Sequence, residues 1–506
     1  MSDVVVVGGG VAGITAALAA AEAGLKVVLL ERQPRLGGRA RSWRDPRTGD
    51  PVHIGPHVFL DPDYVNLWKL LGRLGTLDQI VWQRRPGPFV TWVTGEQVTD
   101  ITVASLPQPF GWLPPLLRDP HISFLDIHST VPVLAYALSL SEEELLALDG
   151  EAASDLLHRF GVTDRMVNHF WAFMSHAILN VPVEEASACA LLRMCQRLVG
   201  ARGEARFGFA AGGLGDLFTP AEHILRELGV EVRLRTEVLR LEGSARAEAV
   251  VLEGGEVLRP RLGVVLTLPA VEIPGLLQTD WLSATPELAA LSDLLPCPYR
   301  AVYIWFDRKI TNHQFWARTW DPDSLNCDFY DFSNIYPGWS ERPSLIGSNI
   351  IDVDARPAGK LSDEELFKGT LRELRENLPA AREAEVLHWT VNRVPQAIHR
   401  PVVGTERKRP AAGEVGGLRI FLAGDWCATQ FPSSMESAAK AGYACAESLL
   451  AVAHQEGISG VSQDLVVPYV PIATSAKMVS QLDRARTFMI WLASFAGGQA
   501  KPRAKL

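Results

Sequence analysis

The chain has 506 residues, 47% hydrophobic and 21% charged, with a formal net charge of −9. That length allows a large core and favours two domains plus a tail over one simple domain, and the composition is ordinary for a globular protein. The acidic balance argues against nucleic acid as a partner, because phosphate backbones are gripped by a basic face. Six cysteines (Cys189, Cys195, Cys297, Cys327, Cys427, Cys445) are scattered without a C-x-x-C pair. This points away from a zinc site or disulfide framework and towards a reducing cytoplasm. Met1 leads almost directly into the first apolar run, so no signal peptide is expected. No run reaches the roughly 18 apolar residues of a spanning helix.

Four valines, Val4 to Val7, suit a strand buried on both faces. Gly8, Gly10 and Gly13 follow in G-x-G-x-x-G spacing. An alanine-rich run then reads as a helix ended by Gly24, and Lys26 to Glu31 as a second strand. The first glycine permits a tight turn, the second lets backbone approach a pyrophosphate, and the third lets helix and strand pack closely. The helix start, with Ala12 in its first turn, offers free N–H groups to phosphates. Glu31 is placed to accept from a ribose hydroxyl. The glycines alone are a weak signal; the strand–turn–helix–strand context makes it a dinucleotide site. Arg32 to Ala40 adds Gly37, Gly38 and Arg39. A second glycine pair suggests more backbone against the same ligand, and the planar guanidinium of Arg39 suits pyrophosphate. A surface turn with a solvated arginine is the alternative.

Residues 51–59 read as a strand interrupted by Gly55-Pro56, where glycine lets backbone approach something flat. His57 faces either a ligand or a hydrogen-bonded core. Residues 63–74 form an amphipathic helix. From Trp82 to Phe124 the chain is rich in proline and aromatics, which blocks long helices. These loops either meet a bilayer interface or fold as a lid over a substrate. Runs at 127–138, 141–148, 152–160, 162–179 and 187–198 read as a helical cap. An α/β rhythm resumes at Gly212-Gly213-Leu214-Gly215, with strands at 230–241 and 262–269. Residues 300–308, 329–332 and 345–351 suit a mixed sheet flooring a cavity.

An apolar strand then ends in Gly424-Asp425, and Ser433 or Ser434 caps a helix that starts at Met435-Glu436. Its small residues allow tight packing against the sheet. A helix start behind a buried strand is again an anion site. Two half-sites at opposite chain ends, converging on one ligand, point to FAD. The tail holds an apolar run at 484–496 followed by Lys501, Arg503 and Lys505, which suits an interfacial helix or a docked one. The expected fold is α/β: a discontinuous Rossmann-type FAD-binding domain (1–60, 205–295 and 385–455) with a mixed-sheet plus helical substrate domain (61–204 and 296–384). The tail is 456–506.

Val4 to Arg41 resembles the start of the flavin amine oxidase superfamily. Within it, Gly55-Pro56-His57-Val58-Phe59 resembles the G-x-H-x-F of plant and cyanobacterial phytoene and ζ-carotene desaturases. Residues 107–126, 160–177, 304–310 and Ser434-Met435-Glu436 resemble that family in the same order, so the likeness covers roughly residues 4–450. Two phrases depart from it, Trp426 after Gly424-Asp425 and the run 212–215. Both look more like the hydroxysqualene dehydroxylases of hopanoid synthesis. The resemblance implies FAD and a C40 or C30 polyprenoid drawn from a membrane into an apolar tunnel, with peripheral membrane contact. It also implies quinone as electron acceptor, with oxygen as the other candidate. Desaturation passes hydride to flavin N5 and loses a proton from the adjacent carbon; dehydroxylation runs the other way. It implies that Val238 touches adenine and that Gly55, Pro56 and His57 lie near the isoalloxazine ring. Gly424, Asp425, Ser434 and Met435 hold the ribityl–phosphate end. His57 and Arg300 are the candidate catalytic groups. A flavin amine oxidase is an alternative, but those enzymes place lysine on the strand that here begins at Arg300, and arginine stays charged. A third reading is an FAD-binding protein without activity.

Overall fold

The computed structural model describes residues 2–61, 63–83, 90–101, 116–200, 206–319, 323–352, 356–458 and 465–468. Six strands form the first sheet, in the order Glu231–Leu234, Val27–Glu31, Val4–Val7, Gly263–Leu266, Ile420–Leu422 and Gly413–Val415. The first five run parallel and the last closes antiparallel. Val4–Val7 and Gly263–Leu266 are buried at every position, which is why they read as unbroken apolar runs.

The helix Val11–Glu22 packs on this sheet, and the C-terminal helix Met435–Gln455 packs on that helix and on the edge strand Gly413–Val415. Small residues make the helix crossing close. A Cβ at Gly442 would lie 2.6 Å from the Ala12 carbonyl oxygen. The alanine-rich faces therefore serve a helix–helix contact as well as the expected contact with the sheet.

The second sheet has seven strands, in the order Val386–His399, Pro296–Phe306, Leu345–Ile350, Asp328–Asp331, Phe315–Arg318, Val90–Thr94 and Gln97–Ile101. All pair antiparallel except Phe315–Arg318 with Val90–Thr94. Two differences from the sequence reading appear here. Residues 386–399 were expected in the FAD-binding part, yet they pair along the whole of Pro296–Phe306 in this sheet. Residues 90–101 were expected as proline-bounded loop, yet they form a hairpin turned at Gly95, where φ is +59°. Alternating Val, Thr and Trp give that hairpin its strand character.

Strand alternation sorts the long strand's side chains. Ala301, Tyr303 and Trp305 face the helical layer, while Val302, Ile304 and Phe306 pack on the helix Asp363–Asn377. The helical layer comprises Phe124–Ser139, Glu142–Ala147, Ala153–Arg159, the run 164–179 and Ala188–Gly200. The run 164–179 contains two widened π-type stretches, Val167–Trp171 and Ser175–Leu179, a feature that often marks functional segments. Among the described residues no single helix is long and apolar enough to cross a membrane. The prolines and aromatics at 86–89 and 107–115, the apolar run 484–496 and Lys501, Arg503 and Lys505 lie outside the described residues.

Candidate functional site

One cavity of about 1050 Å³ runs from the first glycine turn to the floor formed by the seven-stranded sheet. At its first end Gly8 has φ +106°, a left-handed conformation that favours glycine. A Cβ at Gly13 would collide with the Gly8 carbonyl. Gly13 therefore lets the helix approach the strand and does not itself line the cavity. Gly10 differs: a Cβ there would meet only the Gly38 Cα, at 3.9 Å. The helix it opens has no side-chain cap, so its first-turn amides face the cavity beside Gly10 and Ala12. This is an open cradle of N–H groups, the arrangement that accepts pyrophosphate. The second glycine pair is bound to it, with Gly37 N–H donating to Gly9 O at 2.8 Å.

Glu31 is buried and lines the cavity. Its carboxylate accepts from Gly9 N–H and from Gln33 N–H, each at 2.7 Å. Each oxygen keeps a second lone pair. Arg32 reaches Glu272 at 3.2 Å on the rim. Arg39 pairs with the buried carboxylate of Asp425 and donates to the Ala397 carbonyl. The two residues that sequence reasoning assigned to separate half-sites thus bridge those half-sites.

At the chain's other end, Gly424, Asp425, Ser434 and Met435 all line the cavity. Ser434 caps the C-terminal helix through Ser437 N–H at 3.2 Å. The indole N–H of Trp426 ties this turn to Leu268 O at 3.0 Å. Glu436, expected as a first-turn acid, is buried. It accepts from Leu67 N–H at 2.7 Å and from the Asn66 side chain at 2.7 Å, which locks the helix Val65–Leu74 to the helix start. Burial pushes its carboxyl up to about 7. Val238 lies on the cavity wall beside Thr236 and Glu237.

The deeper half is where the sequence reading needs correction. Gly55 does make room for something flat, but that object is the Tyr299 ring, with which a Cβ would collide, and Gly55 does not line the cavity. Pro56 and His57 do. The Gly55 carbonyl lies 2.6 Å from His57 Nδ1, so that nitrogen carries the proton and Nε2 keeps a lone pair. Burial holds the imidazole below its usual range, so it stays neutral near pH 7. Arg300, proposed beside the ring, is not a lining residue. It follows Tyr299, which lines the cavity, and successive strand residues point to opposite faces. The strand places Arg300 with the helix-covered face, and that removes it as a catalytic candidate.

The widened run 164–179 supplies His169, Phe170, Phe173, Met174, Ala177 and Ile178 to the wall. His169 is held by Asp119 at 3.3 Å and Thr319 at 3.2 Å, with Trp92 stacked on it at 5.1 Å. Sequence reasoning missed Tyr299, Asp63, Asp328, Tyr330 and Asn349, all of which line the cavity. Asp63 and Asp328 are each pushed up to about 7 by burial. Strand parity at 328–330 was the one available signal for Asp328 and Tyr330. No lysine is among the described lining residues.

A family model described as flavin containing amine oxidoreductase matches residues 11–450. The 15-cis-phytoene desaturase of Solanum lycopersicum is 26% identical over 470 residues, covering 88% of this chain and 77% of that protein. The probable zeta-carotene desaturase of Synechococcus elongatus is 23% identical over 486 residues, covering 88% and 98%. Among solved structures, cyclohexylamine oxidase from Brevibacterium oxydans superposes with a TM-score of 0.66 at 18% identity, covering 90% of this chain and 99% of that one. Putrescine oxidase bound to putrescine gives 0.67 at 19%, covering 89% and 99%. At such identities the structures establish the fold.

Proposed function

The chain belongs to the flavin containing amine oxidoreductase family and is an FAD-dependent oxidoreductase; from that premise we propose that its substrate is a polyprenoid, oxidised as in the carotenoid desaturases it distantly matches. One observation carries this reading. The glycine-lined end and an apolar chamber walled by Phe173, Ile178, Phe207, Phe315 and Ile351 are one continuous cavity. The apolar chamber lies beyond the glycine-lined end, where a substrate would meet the ring end of the dinucleotide.

In this reading the first-turn amides beside Gly10 and Gly38 hold the pyrophosphate, and Glu31 accepts from the ribose. Arg39 and Asp425 close the two half-sites over the ligand, with Ser434 and Met435 at its ribityl end. Val238 packs on adenine. Bound flavin supplies the redox step by exchanging a hydride equivalent with the substrate. The chain's own work is orientation and exclusion of water. Pro56 and His57 border the reacting end, and the neutral His57 offers Nε2 as a proton acceptor. The helical layer aligns the chain of the substrate.

Leu116 and Ile122 line the cavity while nearby Leu117 and Leu125 are exposed, at 54% and 58%. This apolar mouth supports delivery of substrate from a membrane surface and peripheral contact there. A quinone is the electron acceptor proposed with it. The test is to express the chain in a host accumulating phytoene and profile pigments and triterpenes. New conjugated polyenes support the reading. Flavin reduction by amines, with none by polyprenoids, overturns it.

A further inference from the structure

We infer that His399 is a positioning residue that acts through Ser433 and binds a second proton when the bound flavin is reduced. This rests on the placement of the cofactor's ribityl end at Ser434 and Met435, and is independent of the substrate. The strand Val386–His399 follows the cavity through Val394, Gln396, Ala397 and Ile398, and its last residue lies against the turn before the C-terminal helix. There Ser433 lines the cavity, and its Oγ is 2.6 Å from His399 Nδ1. On the far side of the ring, Nε2 is 3.4 Å from Glu406 Oε1. Both ring nitrogens are thus engaged, one towards the cavity wall and one towards a carboxylate. His399 and Glu406 are buried, at 5% and 4% exposure.

The direction of each hydrogen bond follows from charge. Glu406 Oε2 accepts from Arg193 and, at 2.9 Å, from Arg409. Against the cost of burial, Arg409, His399 and Arg193 hold this carboxyl well below its usual range. An ionised Glu406 only accepts, so His399 Nε2 carries a proton. Burial holds the imidazole below its ordinary range, hence neutral, so Nδ1 keeps the lone pair and Ser433 donates to it. The Asp425 carbonyl, 3.1 Å from Ser433, already has its two lone pairs met by Ser437 at 2.9 Å and Arg409 at 3.2 Å. Ser433 is left with acceptor capacity only. Counting charges explains why His399 stays neutral at rest. Arg193 and Arg409 balance Glu406 and the half-buried Glu142, and Arg39 balances Asp425. A further proton on His399 is surplus there. A hydride brings two electrons and one proton, and so leaves one negative charge on the group that receives it. That charge beside Ser433 compensates an imidazolium. The flavin gains two electrons and one proton, His399 gains one proton from solvent, and the net charge of the site is unchanged. Nδ1–H then donates to Ser433, which frees the hydroxyl proton for the anion.

The experiment measures the midpoint potential of the FAD-loaded protein against pH, by anaerobic titration without substrate. The wild type should take up two protons per two electrons near neutral pH, a hundred-fold change in the reduction equilibrium per pH unit, or about 59 mV. His399→Gln should fall to one proton, a ten-fold change or about 30 mV, while His57→Gln keeps two. Ser433→Ala leaves an imidazolium Nδ1–H without its acceptor and should move the steep region to lower pH. A reduced-minus-oxidised infrared spectrum of the wild type with isotope-labelled histidine should show an imidazolium gained, which a merely structural His399 would not produce. One proton per two electrons in the wild type overturns the inference, as do two protons in His399→Gln or the lack of an imidazolium signal. A steep slope lost in His57→Gln and kept in His399→Gln overturns it in favour of His57. Failure of the wild type to hold flavin overturns the placement of the cofactor, and the inference with it.

Discussion

Glu31 illustrates how a single carboxylate ties loop shape to ligand affinity. It holds the Gly9 and Gln33 amides, each at 2.7 Å, before any ribose arrives. Glu31→Ala should therefore lower flavin content after dialysis, and Glu31→Gln, which keeps one acceptor, should lower it less. Flavin absorbance per mole of protein measures both. Retention of full colour by the alanine variant would remove Glu31 from the site. Arg39→Leu leaves the Asp425 carboxylate without its guanidinium. It should weaken flavin retention more than Arg39→Lys does, because the fork also serves Ala397. At this scale the sequence was most legible where geometry forces residue type. Gly8 and Gly13 were readable because no side chain fits there. Arg300 and Tyr299 were not, because choosing between neighbours on a strand needs its face, and a shift of one residue reverses every assignment.

Among the elements, the crossing of Val11–Glu22 and Met435–Gln455 has the least room to change. Gly442→Val would place branched carbon where a Cβ alone lies 2.6 Å from the Ala12 carbonyl oxygen. The two helices must separate, and overpacking of this kind costs about 1–3 kcal/mol. Urea unfolding of the flavin-free protein should show that loss, and flavin dissociation should speed up as the helix start at Ser434 moves. Helices and parallel strands here were legible from periodicity and from runs of Val and Ala. The hairpin 90–101 was not, and 385–391 was legible as a strand but not as part of the second sheet. Prolines flank the first, and the second joins a sheet whose partner lies far away in sequence. Local pattern reports that a segment is extended, but not which sheet receives it.

For the molecule as a whole, buried carboxyls set a pH response. Asp63, Asp328 and Glu436 rise to about 7 from ordinary values of 3.8, 3.8 and 4.5. A group whose folded value is raised binds its proton more tightly when folded. Its contribution therefore becomes less favourable as pH climbs from about 4 to about 7, and it is fully unfavourable above that. Buried His53 and His176, pushed down to about 3 and about 4, act in the opposite sense below pH 6.5. Comparison with Asp328→Asn isolates one carboxyl. The variant's stability relative to wild type should grow between about pH 5 and about pH 7 and then level off, as read by urea midpoints across that range. A flat difference would mean that Asp328 titrates normally.

The interlocked sheet also dictates an order of events during synthesis. Val4–Val7 pairs with Gly263–Leu266, which pairs with Ile420–Leu422, and the first helix packs against Met435–Gln455. The strand Val4–Val7 thus waits for segments made much later, and folding of this sheet cannot finish ahead of them as it does in chains whose domains are laid out in series. Nascent chains arrested before residue 435 should emerge colourless, and this protein should acquire its yellow cargo only once Met435–Gln455 has emerged.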